Sequence, residues 1–359
     1  MRFKFWNNIG GWLAFVISAI VYLMTIEPTT SFWDCGEFIA TAFKLEVGHP
    51  PGASFFMLIA RFFSLFASDN AHVAMMVNAM SGLFSALTIL FLFWTITYFA
   101  KRMLLKDGEM TSGKLVAIIG SGLVGSLAYT FSDTFWFSAV EGEVYASSSL
   151  FTALVFWLIT KWDAVADQKY SNRWIVLIAF FMGISIGVHL LNLLAIPAIV
   201  FVIYFRKFKH STKGVIYASL ISVVLLGTII YGIIQGAFKV ASWFELGFVN
   251  GLGMNYNSGL LFYALLLVVL IVAGIYVTTK EVSAFLRATV ITLLLFFAGV
   301  PLMINSILFW IVFVPAILAV LYYVKSLKPI LNALVLSIAM ILIGYSTIAM
   351  IVIRSTVDT

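Results

Sequence analysis

Apolar residues run along this chain in long blocks, near 9–26, 72–100, 115–131, 144–160, 174–189, 191–205, 214–235, 259–279, 288–304, 306–324 and 330–353. Each approaches the roughly 20 residues that a helix needs to cross a hydrocarbon core. The pattern predicts an all-α, polytopic transmembrane bundle of about 11 spans. Arg2 and Lys4 precede the first block in the manner of a signal peptide. Glu27-Pro28-Thr29 stands where a small-residue cleavage site would be, so the block reads as an uncleaved first span. The stretch 52–67 is also apolar, but it is short and carries Arg61. A buried arginine costs about 2.5–3.5 kcal/mol on insertion scales. An interfacial or re-entrant helix in the first outer loop, 27–71, is the expectation.

Charge fixes an orientation for these spans. With the N-terminus inside and 52–67 not crossing, the cytoplasmic stretches hold 17 of the 21 Lys and Arg, among them Arg2, Lys101, Arg102, Lys161, Arg206, Lys280 and Lys325. Counting 52–67 as a span would move all but the first pair to the other side, against the positive-inside rule. The same assignment places ten of the fifteen carboxylates outside, Glu27, Asp34, Glu37, Glu46, Asp69, Asp133, Glu141, Glu143, Glu245 and Asp358. Acidic residues have little influence on orientation, so their gathering at one face points to chemistry there.

Composition agrees, with 63% hydrophobic residues, 10% charged residues and a mean hydropathy of +1.09. Those values lie far from a soluble domain. The net charge of +6 is accounted for by cytoplasmic loops and calls for no nucleic-acid partner. One cysteine, Cys35, excludes an internal disulfide, and with four scattered histidines it makes no zinc pattern. No linker or repeat divides the chain, which reads as one membrane domain over 1–359.

The chemistry-bearing residues lie in the outer loops. The first holds Asp34 and Glu37, three residues apart and near one another on a helix if Asp34 begins one. Either Asp34 caps that helix, or one carboxylate is a general base toward an acceptor hydroxyl while the other orients it. Phe32, Trp33 and Phe38 suit the headgroup level. Arg61 could neutralise a lipid-linked phosphate or snorkel to ordinary lipid. The second outer loop adds Asp133, Trp136, Glu141, Glu143 and Tyr145, and His189 and Asn192 join the fifth and sixth spans at the same face.

Taken together, Trp33-Asp34-Cys35-Gly36-Glu37-Phe38, Gly48-His49-Pro50-Pro51-Gly52, Glu141-Gly142-Glu143-Val144-Tyr145 and Gly187-Val188-His189-Leu190-Leu191-Asn192 resemble a bacterial membrane family formerly of unknown function. That family is similar to the eukaryotic endoplasmic-reticulum O-mannosyltransferase of plexin-type receptors, and both resemble the GT-C superfamily. The resemblance implies a glycosyltransferase that moves a sugar, a mannose-like hexose among the options, from a polyprenyl-phosphate donor to a hydroxyl of an exported protein. Asp34 would be catalytic, with Glu37 the alternative. His49, Arg61, Glu141, Glu143, Tyr145, His189 and Asn192 would bind donor or acceptor.

By the same analogy no metal is required, with Mg²⁺ or Mn²⁺ left open. The setting would be a bacterial inner membrane, multi-pass, N-terminus cytoplasmic and C-terminus periplasmic. Family members usually continue into a soluble outer region, and the chain stops at Thr359, so such a region is expected to be missing here. Rival readings are a transporter or lipid flippase and a non-catalytic scaffold. Transport is disfavoured because the blocks carry no ionisable residue of the kind that marks an ion pathway.

Overall fold

The computed structural model describes residues 2–50, 52–106, 108–304, 306–323 and 328–355. Pro51, Lys325 and Asp358 of the readings above lie outside the described residues. The described chain is helical, with α1 Arg2–Met24, α2 Cys35–Lys44, α3 Ser54–Ser64, α4 Val73–Leu104, α5 Ser112–Thr130, α6 Asp133–Ala139, α7 Val144–Val165 and α8 Arg173–Ile186. There follow α9 Ala195–Lys207, α10 Thr212–Gly227, α11 Gln235–Leu246, α12 Ser258–Thr279, α13 Ala284–Phe297, α14 Ile307–Tyr323, α15 Lys328–Tyr345 and α16 Ala349–Ser355. The fold is a polytopic helical bundle.

Among the described residues, eight helical stretches are long and apolar enough to cross a membrane. They coincide with eight of the eleven blocks. The other three blocks form α8, α13 and α14, of 14, 14 and 17 residues, which at 1.5 Å per residue reach only about 21–26 Å. Helix α3, at 11 residues, is too short to cross. One boundary differs from expectation. The block ending near 235 continues without a break through two π-helical turns to Gly251, as a 40-residue helical stretch. No proline interrupts it, and backbone pairing carries on where hydropathy falls.

The helices form two compact units. The first comprises 1–174, 180–195 and 341–359, and the second 175–179 and 196–340. In the first unit α1, α4 and α5 meet through small residues, as membrane helices do for lack of a hydrophobic drive between them. Gly10 and Gly11 of α1 lie against Phe93 and Trp94 of α4, and Gly122 of α5 lies against Phe93 and Thr97. Ser18 and Thr130 share a hydrogen bond of 2.9 Å, and the Tyr22 hydroxyl donates to the Thr130 carbonyl at 3.0 Å. Val116 and Val124 of α5 remain exposed, as side chains facing lipid would.

In the second unit Glu245 accepts the backbone N–H groups of Asn257 and Leu260 at 2.6 and 3.0 Å, closing the start of α12. That carboxylate serves a helix terminus. Leu270, Ile291, Leu294, Leu331 and Val335 form an apolar core between α12, α13 and α15.

Candidate active site

The first unit brings the two acidic loops together. The chain leaves α1 and is pinned by Asn78 of α4, whose buried amide donates to the carbonyls of Glu27 and Thr29 at 2.7 and 2.9 Å. The N–H of Glu27 donates to the Val140 carbonyl at 3.1 Å, which ties loop one to loop two directly. Gly142 sits where a Cβ would lie 2.8 Å from Asn78 Oδ1 and 3.1 Å from Ile39 Cγ1. The close approach of the two loops depends on a residue without a side chain.

Asp34 occupies the position before α2 but does not cap it. Its backbone is already helical, φ −83° and ψ −3°, and its side chain makes no capping hydrogen bond. Capping side chains work from an extended backbone, so the capping alternative is corrected, and the carboxylate stays exposed. Glu37, one turn on, is engaged. Its Oε1 accepts the His49 N–H at 2.7 Å and its Oε2 lies 3.1 Å from His49 Nδ1. Those bonds, the backbone one foremost, hold the Glu37 carboxyl below its usual value, and the same contact raises His49, with Asp34 and Glu143 adding to the rise.

Glu141 and Glu143 are buried, 5% exposed each. Burial raises both, Glu143 to about 6. Ser31 and Cys35 face Glu141 and oppose its rise, and the Val144 N–H, donating to Glu143 Oε2 at 3.0 Å, opposes that of Glu143. Asp34, Glu141 and His49 act on Glu143 through space. Cys35 is fully buried, and burial reinforced by the two glutamates pushes its thiol up to about 12. Asp34, Glu37, His49, Glu141 and Glu143 therefore form one electrostatic group.

The remaining predicted residues divide. The Tyr145 ring lies 5.7 Å from that of His189, whose Nδ1 accepts the Leu191 N–H at 3.1 Å and whose imidazole is lowered by burial. Asn192 is fully buried, accepting from Thr152 Oγ1 at 3.1 Å and donating to Ser185 Oγ at 2.8 Å, so its amide is spent inside the bundle. Arg61 packs 5.1 Å from the Phe43 ring, with Ser64 beside it. That places it at the far end of α2 from Asp34, nine residues or about 13 Å along the helix.

Tyr145 also stands at one end of a cavity of about 790 Å³ walled by Thr88 and Leu92 of α4, Tyr129 of α5, Ser149 and Phe156 of α7, and Leu194. From Tyr145 to Phe156 the wall runs about 16 Å along α7. The hydroxyls of Thr88 and Thr95 each donate to the carbonyl four residues back, at 3.0 and 2.8 Å, and that of Thr152 is shared between the Ser148 carbonyl at 2.9 Å and Asn192 Oδ1 at 3.1 Å. Their protons are taken up inside the bundle, and the lining is largely apolar.

Residues that the sequence reading did not single out hold this site. Asn78, a lone amide in an apolar block, carried a visible signal. Arg354 did not. Its Nε donates to the Leu45 carbonyl at 2.7 Å, and Ser54 Oγ meets Thr347 Oγ1 at 3.1 Å, so the C-terminal segment closes onto the first loop. Met350 packs on the core cluster of Phe38, Phe56, Met57, Val144 and Val188 beneath that loop.

Residues 34–212 match the family described as the protein O-mannosyl-transferase TMEM260 N-terminal domain. All nine predicted site residues fall inside that segment. The chain is 27% identical over 196 residues to the protein O-mannosyl-transferase tmem260 of Dictyostelium discoideum, covering 52% of this chain and 22% of the relative. It is 27% identical over 202 residues to the protein O-mannosyl-transferase TMEM260 of Mus musculus, covering 56% and 26%. The chain thus spans about a quarter of the length of these curated relatives. No solved structure matches it.

Proposed function

We propose, from the match of residues 34–212 to the TMEM260 N-terminal-domain family, that the chain is a membrane glycosyltransferase that moves a hexose from a polyprenyl-phosphate donor to a hydroxyl of an exported protein. The activity in the relatives' names, protein O-mannosyl transfer, supports a protein acceptor and a mannose-like sugar. The observation that carries the proposal is the convergence of Asp34, Glu37, His49, Glu141 and Glu143 close in the chain to Tyr145, which lines an apolar cavity.

In this reading the isoprenoid tail lies in the cavity, and the sugar phosphate reaches the acidic group. The acceptor oxygen attacks the anomeric carbon, and a new C–O bond forms as the bond to the lipid phosphate breaks. The phosphate departs with the electron pair. The hydroxyl proton passes to Asp34, whose carboxylate has no capping role to compete for it. Positive charge building at the anomeric carbon is favoured by the surrounding carboxylates. His49, whose protonated form the contact with Glu37 favours, would balance the leaving phosphate. No divalent ion is required, and Arg61, at the other end of α2, is assigned to lipid phosphates rather than to the reacting one. The acidic face lies on the periplasmic side of a bacterial inner membrane, with the N-terminus cytoplasmic.

The test is intact-mass analysis of envelope proteins from cells carrying wild-type, deleted and Asp34→Asn alleles, with expression matched. Loss of a hexose mass in the deletion and at least a 100-fold fall with Asp34→Asn, in line with removal of a general base, is the expected result. Unchanged masses in all three would sink the proposal. Donor lipid crossing liposomes without covalent transfer would favour a flippase.

A further inference from the structure

Resting on the glycosyltransferase reading above, we infer that Trp33 is a stacking platform for the hexopyranose ring of the donor, set beside the Asp34 carboxylate. Trp33 has φ +64°, in the left-handed region that glycine and asparagine adopt readily and that a bulky side chain disfavours. The turn itself is imposed from both sides. Asn78 holds the carbonyls of Glu27 and Thr29, buried Glu141 faces Ser31 and Cys35, and the Phe38 N–H donates to the Asp34 carbonyl at 2.9 Å as α2 begins. A glycine or asparagine would make this turn with less strain, yet a tryptophan occupies it, and the residue is 89% exposed. The ring therefore gives the fold nothing in return for its strained backbone, and strain kept without packing points to a partner outside the chain.

The neighbouring residues indicate the partner's chemistry. An indole face is electron-rich and attracts polarised C–H groups, which a pyranose presents on one face of its ring. Hydroxyls at the rim of that ring need an acceptor, and Asp34, the next residue, carries an exposed carboxylate free of any capping bond. Anchoring at the lipid surface also suits an indole, but it calls for no carboxylate beside the ring and would bear on donor and acceptor alike.

Trp33→Phe, Trp33→Leu and Trp33→Asn in the full-length membrane-embedded protein separate the two roles, read by thermal midpoint and by KM for a synthetic polyprenyl-phosphate hexose. Stacking predicts that Trp33→Asn unfolds at or above the wild-type temperature while its donor KM rises about three- to tenfold, the range of a ring contact. Trp33→Leu should match Trp33→Asn in KM, Trp33→Phe should stay near wild type, and acceptor KM should be unchanged throughout. Wild-type donor KM in Trp33→Leu would overturn the inference, as would unfolding of Trp33→Asn or an equal rise in acceptor KM, the mark of a lost membrane anchor. An inactive wild-type protein would remove the transferase reading and this inference together. An active one that tolerates leucine removes only the inference.

Discussion

Glu37 and His49 bind each other across twelve residues, and each holds the other's charged form. Glu37 is lowered from 4.5, so its share of the pair's stabilisation is fully present above 4.5 and lost as pH falls through the lowered value. His49 is raised from 6.5, so its share is complete below 6.5 and lost as pH rises through the raised value. The pair is therefore strongest between those two pH values. Both side chains are more than a third exposed, and solvent and salt screen the contact. Glu37→Gln keeps an acceptor for the His49 N–H and removes only the ionic part. The loss of thermal midpoint on Glu37→Gln should be largest near pH 5.5, shrink toward pH 3 and pH 8.5, and diminish in 1 M NaCl. A pH-independent difference would mean that the contact is not ionic.

At the scale of elements, the site depends on how closely loop two approaches α2 and α4. Gly142→Ala would drive a methyl group toward Asn78 Oδ1 and Ile39, and Asn78 cannot yield because its Nδ2 is held by two carbonyls. A cost of about 1–3 kcal/mol is expected from such overpacking. Gly48→Ala meets the flexible end of Met57 at 3.0 Å and Glu37 Oε1 at 3.2 Å, and should cost less. Comparing the two thermal midpoints checks the order. The helices themselves were legible, because apolar blocks of spanning length leave few alternatives, and the acidic motifs stood out against them. The Glu37–His49 pairing was hidden, since nothing local distinguishes a carboxylate that meets a backbone N–H twelve positions on from one that does not. Capping by Asp34 was a fair inference from residue type that failed on backbone angle. The continuation of helix to Gly251 was missed because hydropathy reports the membrane boundary and not the end of the hydrogen-bond ladder.

For the molecule as a whole, the charge pattern makes a directional prediction. Asn70 and Glu109, both exposed, flank the two ends of α4. In intact spheroplasts an impermeant maleimide should label Asn70→Cys and leave Glu109→Cys untouched until the membrane is opened; the reverse would invert the topology. Native Cys35 gives little background, being buried with its thiol at about 12. The hydrogen bond from Arg354 to Leu45 joins residues 309 positions apart. At about 5–20 residues per second of synthesis, roughly 15–60 s separate the emergence of the two partners. During that interval the first loop exists without this tie, so the nascent protein passes through a stage in which the acidic loop is made but not yet fastened by Arg354. Protease or chaperone access to Leu45–His49 should be timed by synthesis of α16 rather than by synthesis of the loop.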